Sequence, residues 1–173
     1  MRILLYAGPG AGKSTVARRL TDRLREDGIA VTGFITEEIR ERGRRLGFWV
    51  ERLGGERGVL AHVDLPGPPR VGRYGVDLAA FERVAIPALE DAGEHEVAII
   101  DELGKMELAS EAFREAVAAL LDRPVPVVAT VQSASHAFTD ALKRRRDVET
   151  MRVTTANRDE LPELLAARLR SAR

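Results

Sequence analysis

Between positions 7 and 15 the chain reads Ala7-Gly8-Pro9-Gly10-Ala11-Gly12-Lys13-Ser14-Thr15, residue types that at this spacing can hold a triphosphate. Glycines at 8, 10 and 12 let successive backbone N–H groups point inward, and a helix starting here adds its positive N-terminal end, so the loop forms a nest for phosphate oxygens. Lys13 would reach the β- and γ-phosphates. Ser14 would place its hydroxyl on a magnesium ion bridging those phosphates, a role the next residue, Thr15, cannot share because it points elsewhere on the helix. This is a Walker A loop with one departure: the position five before Gly12 is Ala7, where glycine is more common. A methyl fits there if φ is negative and Gly8 takes the sharp turn.

A second group with chemical potential is Asp101-Glu102, at the end of the apolar run Val97-Ala98-Ile99-Ile100. Ligands of open parallel sheets bind at the carboxyl ends of the strands, so an apolar strand ending in Asp reads as Walker B. Asp101 would hold the magnesium through its water shell. Glu102 would orient and deprotonate an attacking water. By itself Asp-Glu after a strand is better read as a helix N-cap; the Walker A loop in the same chain selects the functional role. Asp101-Glu102-Leu103-Gly104 also fits the Asp-x-x-Gly of GTPases, in which the glycine N–H touches the γ-phosphate. Asn157-Arg158-Asp159 lacks the spacing of a guanine reader. Arg73 and Arg158, on loops near strand ends, are candidates for phosphate or base contacts. Lys143-Arg144-Arg145-Arg146 could supply a charge to the γ-phosphate but reads better as a solvated helix face, and Glu107 could share the work of Glu102 or be simply a residue in the first turn of the next helix.

These groups need elements to hold them. Ile3-Leu4-Leu5-Tyr6 is a strand before the loop, and Val16, Leu20 and Leu24 mark a helix after it, ended by Gly28. Ile29 to Thr36 is a second strand. The segment from about 37 to 65 has no helical period and reads as strand, turn, strand, hence a small antiparallel insertion, closed by the stiff Pro-Gly-Pro-Pro stretch at 66 to 69. Val71-Gly72-Arg73-Tyr74-Gly75-Val76 reads as a loop delivering side chains. A helix follows with Leu78, Phe81, Ala85 and Leu89 on its core face and Pro87 bending it. Beyond the Walker B strand come a helix capped by Ser110, a buried strand from Val125 to Val131, a helix from Ser135 to Arg146, a strand from Thr150 to Thr155, and a C-terminal helix. Alternation of β and α elements predicts an α/β fold: one domain over residues 1–173, a mostly parallel sheet flanked by helices.

Composition narrows the function. With 45% hydrophobic residues, 173 residues can bury a sizeable core. Lys+Arg and Asp+Glu are both 27, a zero net charge that argues against a nucleic-acid backbone or an anionic membrane as partner. There is no cysteine, and His62, His95 and His136 lie far apart, so no metal site of nitrogen and sulfur ligands is expected. The start of the chain has too few apolar residues for a signal peptide or a membrane span, which predicts a cytoplasmic protein. A monomer acting on a small ligand is expected.

Taken together, the Walker A loop, Gly33-Phe34-Ile35-Thr36-Glu37-Glu38-Ile39-Arg40, Val71-Gly72-Arg73-Tyr74-Gly75-Val76, Ile100-Asp101-Glu102-Leu103-Gly104-Lys105-Met106-Glu107-Leu108 and Asn157-Arg158-Asp159 resemble the THEP1 family of nucleoside-triphosphatases. The resemblance spans nearly the whole chain. It implies a P-loop domain of RecA-like type that hydrolyses ATP, GTP and other nucleoside triphosphates to the diphosphate and phosphate with Mg2+. The chain departs from the family at Ala7 and Gly8, where glycine and an acid are more usual, and at Ile35, where tryptophan is. Two other functions use the same loop: a small-molecule kinase, and a nucleotide-gated binding module with negligible turnover. An acid directly after Asp101 favours hydrolysis, because a kinase excludes water.

Overall fold

The computed structural model describes residues 1–172. Along the chain the elements are β1 (Arg2–Ala7), α1 (Lys13–Glu26), β2 (Ala30–Glu41), β3 (Arg44–Arg52), β4 (Arg57–His62), β5 (Arg70–Val71), β6 (Tyr74–Val76), α2 (Leu78–Glu90), β7 (Glu96–Leu103), a 3-10 turn Glu107–Ala109, α3 (Glu111–Asp122), β8 (Val127–Gln132), α4 (Ala137–Lys143), β9 (Glu149–Arg152) and α5 (Leu161–Ser171). Among the described residues the strands form one sheet in the order β5-β6-β4-β3-β2-β7-β8-β1-β9. The stretch β2-β7-β8-β1-β9 is parallel, and β8 lies between the strand that leads into the phosphate loop and β7, which does not stop at Asp101 but runs through it to Leu103. This is the mostly parallel, RecA-like sheet expected from the sequence.

Strand geometry explains why the apolar runs are continuous. Successive side chains leave opposite faces, so a strand covered on both sides needs an apolar residue at every position. Ile3, Leu5, Val97 and Ile99 join α1 and α5 in one core. Leu4, Ala98 and Ile100 join α2 and α3 in the other. In the second core Phe34, Phe81 and Phe113 meet edge to face, with centroids 4.8 to 5.7 Å apart. None of the helices among the described residues is long and apolar enough to cross a membrane.

Several local expectations need correction. The antiparallel part is larger than residues 37 to 65: β2 runs unbroken to Glu41, pairs with β3 from Phe34 onward, and the sheet continues through β4 to β6. Its first turn is the pair Arg42-Gly43, both with positive φ, the conformation that suits a two-residue hairpin. Val71 to Val76 is no open loop but a short hairpin, β5 with β6, added to the sheet edge. The helix predicted over 135–146 is only α4, because Arg145 leaves it to pair with Asp122 and Asp147. Pro87 lies inside the last turn of α2, which ends at Glu90.

Gly33 fixes how β2 joins the core. Its φ is +101°, and a Cβ there would collide with the backbone of Ile99 on β7. Gly33→Ala is therefore expected to destabilise the fold by roughly 3 kcal/mol or more, from the strained φ and the backbone displacement together. A fall in Tm of roughly 8 °C in a thermal melt would follow. A Tm within about 2 °C of wild type would contradict it.

Candidate active site

The phosphate loop owes its shape to its glycines. Gly10 and Gly12 take positive φ, 74° and 100°, whereas Gly8 does not, so the turn falls at the last two glycines rather than at Gly8. Ala7 is not among the residues with positive φ and ends β1 as an ordinary strand residue, which is why its methyl is tolerated. Cβ atoms added at Gly8 or Gly10 would meet nothing within 4 Å. The loop therefore faces open space. Gly12 caps α1, no side chain caps that helix, and no acidic residue lies in its first turn, leaving the positive helix end for an anion. Pro9, Gly10, Gly12, Lys13, Ser14 and Thr15 form one wall of a cleft of about 630 Å³.

Lys13 is 9% exposed. Its Nζ donates to the Ala7 carbonyl at 3.2 Å and lies 3.5 Å from Glu102 Oε2. The two residues picked out for chemistry thus meet at the mouth of the loop, although 89 positions separate them. Below them Asp101 is fully buried. Its Oδ1 accepts hydrogen bonds from Ser14 Oγ at 3.0 Å and Thr130 Oγ1 at 2.6 Å. Its Oδ2 has no partner. Burial pushes the Asp101 carboxyl upward, the neighbouring Glu102 adds to this, and the two hydroxyl donors pull the other way. A buried carboxylate with an orphaned oxygen beside a serine hydroxyl fits Mg2+, which takes one or two protein oxygens and fills its remaining positions with water and phosphate. No cluster of three or more His, Cys, Asp or Glu suited to a metal occurs among the described residues.

Arg158, in the loop between β9 and α5, lays its side chain across Gly12, where a methyl would meet its Cδ at 3.2 Å. Asn157 is committed to its own turn, accepting from the Thr154 N–H and donating to the Arg152 carbonyl. Gly104 sits beside Glu102 and Glu107, its N–H directed at the Glu107 carboxyl rather than at the cleft. Arg73 is spent within the antiparallel part of the sheet, hydrogen-bonded to the Arg45 carbonyl and the Tyr74 hydroxyl. In the basic run, Lys143 pairs with Asp140, and Arg145 is held by Asp122 and Asp147.

Sequence reasoning misses the opposite wall of the cleft: Thr36, Glu37, Glu38, Arg40, Arg45 and Phe48, from β2 and β3. Glu38 holds two arginines, Arg45 at 2.8 Å and Arg40, and the hydrogen bond from Arg45 keeps its carboxyl below the usual range. Arg45 lies 5.3 Å above the Phe48 ring. From α1, Arg18 donates to the Thr36 carbonyl at 2.7 Å and ties that wall to the loop side. The available signal was an acid-arginine alternation on strands that pair. Thr130 is also missed; it is a lone polar residue in an apolar strand, a pattern that marks a buried partner for another polar group.

A family model described as NTPase matches residues 2–166. The nucleoside-triphosphatase THEP1 of Thermotoga sp. (strain RQ2) is 44% identical over 162 residues, covering 93% of this chain and 91% of that protein. The human cancer-related nucleoside-triphosphatase is 39% identical over 173 residues, covering 92% and 91%. The crystal structure of THEP1 from Aquifex aeolicus superposes with a TM-score of 0.86 at 34% identity, over 95% of this chain and 96% of that one. With a phosphate loop, an adjacent Asp-Glu pair and a RecA-like sheet in place, this chain belongs to the THEP1 family of nucleoside-triphosphatases.

Proposed function

We propose that the protein hydrolyses nucleoside 5'-triphosphates to the diphosphate and phosphate, with Mg2+ and with little preference among bases. The observation that carries this is the meeting of Lys13 and Glu102 over the glycine nest, 3.5 Å apart. The backbone of residues 7 to 15 cradles the phosphates, and Lys13 leaves Glu102 for the β- and γ-phosphate oxygens. Glu102 then holds a water against the γ-phosphorus and takes its proton as the new P–O bond forms and the bond to the β-phosphate oxygen breaks. Ser14 and Asp101 would hold Mg2+, which when bound neutralises charge on the phosphate oxygens. Arg158 and Thr15 border the bound nucleotide, and Gly104 fixes the turn that carries Glu102.

Weak base selectivity follows from the far wall. Arg45 and Phe48 offer a cation and a ring that stack on any base, because every base has a π-face. The carboxylates there are engaged: Glu38 by Arg40 and Arg45, Glu37 by Arg57 at 2.7 Å. A site that leaves base edges unpaired discriminates little between them. Values of kcat/KM for ATP, GTP, CTP and UTP are expected within about one to two decades of each other, measured by phosphate release with Mg2+ and no added acceptor. A preference of several decades for one base, or release only after an alcohol or nucleotide acceptor is added, would overturn this function.

A further inference from the structure

Beyond Glu102 the cleft opens into a second chamber of about 210 Å³ that also reaches Lys105, Gln132 and Glu107. Glu107 is 5% exposed and lies in the 3-10 turn after β7, beneath α2 and α3. A charged carboxylate in such a place ordinarily has a cation within reach, and no ion pair to Glu107 occurs among the described residues. Its nearest functional neighbour is another acid. A point one Cβ bond out from Gly104 lies 2.8 Å from Glu107 Oε2 and 2.9 Å from Glu102 Oε1, so both carboxyl groups crowd the one side-chain position left empty by glycine. Glu102 thus has Oε2 3.5 Å from Lys13 Nζ and its other oxygen, Oε1, at the same point beside Gly104 that Glu107 Oε2 approaches.

We propose that Glu107 is a positioning residue acting through Glu102: its neutral carboxyl group donates a hydrogen bond to Glu102 Oε1 and so holds Oε2 toward the attacking water. The role rests on Glu102 serving as the base described above. When the nucleotide draws Lys13 away, Glu102 loses the cation that restrains it, and Glu107 is the group left to fix its orientation. Gly104 permits the pairing because any side chain there would part the two acids.

The protonation this requires agrees with the surroundings. Burial, and then the nearby charge of Glu102, push the Glu107 carboxyl up to about 8. The charged groups around it are Asp101 and Glu102 on β7, Lys105 before the turn, Lys13 beyond Glu102, Glu82 on α2, which accepts from Ser110 Oγ, and Arg114 on α3, which is held by the Leu108 carbonyl. The group is thus neutral below about pH 8 and charged above it. Ionised Glu107 repels Glu102 instead of holding it.

Phosphate release by the full chain with ATP and Mg2+ across pH 6 to 10, at roughly one-unit steps, tests this for wild type, Glu107→Gln, Glu107→Met and Gly104→Ala, with Glu102→Gln alongside. Glu107→Gln keeps a neutral donor and is expected to retain kcat within about threefold at neutral pH while losing the wild-type decline above pH 8. Glu107→Met fills the space without a donor and should lower kcat roughly 10²-fold with KM little changed, the size of effect seen when a catalytic group is misplaced. Gly104→Ala should lower kcat in the same direction, since its methyl displaces both carboxyl ends. Nucleotide binding, followed by fluorescence of a labelled ATP analogue, reports that each variant is folded. Glu107→Met at wild-type kcat, or Glu107→Gln as impaired as Glu107→Met, would overturn the proposal; if Glu102→Gln is inactive in that same experiment, hydrolysis through Glu102 stands without it.

Discussion

Lys13→Ala is expected to lower phosphate release by at least about 10² to 10³-fold, the usual cost of removing one preorganised donor from developing transition-state charge. Its ammonium is held in a nearly closed position, by the Ala7 carbonyl on one side and Glu102 on the other, so it reaches the phosphates without having to be ordered at the moment of reaction. Two further consequences make the test specific. Thermal stability should barely change, because Glu102, left without its cation, is 31% exposed and finds water. Nucleotide affinity should fall as well, since the same charge binds the ground-state phosphates. Measuring kcat, KM and Tm together checks this, and a folded variant that turns over near the wild-type rate would refute the Walker A assignment.

Glu102→Gln separates hydrolysis from the other uses of a phosphate loop. The substitution keeps the volume and leaves Asp101 with its Ser14 and Thr130 partners, so Mg2+-dependent nucleotide binding is expected to persist. Loss of a general base costs on the order of 10² to 10⁴-fold in kcat. Binding retained with turnover lost is the signature of a hydrolase. Wild-type protein that binds but releases no phosphate would mark a gated binding module, and a Glu102→Gln variant as fast as wild type would place the base elsewhere.

The phosphate loop is legible in the sequence because its chemistry is local: nine consecutive residues contain the nest, the lysine and the hydroxyl. The position of Asp101 is legible for a related reason: a strand buried on both faces is apolar until a polar side chain finds buried partners, and Asp101, which has Ser14 and Thr130, is the first such residue of β7. Glu107 is different. Its burial depends on α2 and α3 closing over the turn after β7, a contact between distant segments that no spacing within Leu103-Gly104-Lys105-Met106-Glu107 announces. The far wall is hidden in the same way. Glu38 and Arg45 meet across the β2–β3 hairpin, and Arg18 meets Thr36 across a crossover, so the residues facing the nucleotide site appear only once strand pairing is known. The extent of the antiparallel part is underestimated because β2 carries no break at residue 36 to show where parallel pairing stops.

That unbroken strand has a mechanical consequence. Residues 30 to 34 of β2 are bonded to β7, and residues 34 to 41 to β3, so a single beam runs from the centre of the sheet to the outer wall of the cleft. Swinging that wall inward would require breaking ladder hydrogen bonds on one side of Phe34, whereas a hinged flap need only turn a few loop torsions. The wall facing the phosphate loop is thus held by strand pairing on both sides of Phe34. Purine and pyrimidine nucleotides would meet the same gap, and water would keep its access to the γ-phosphate throughout the cycle.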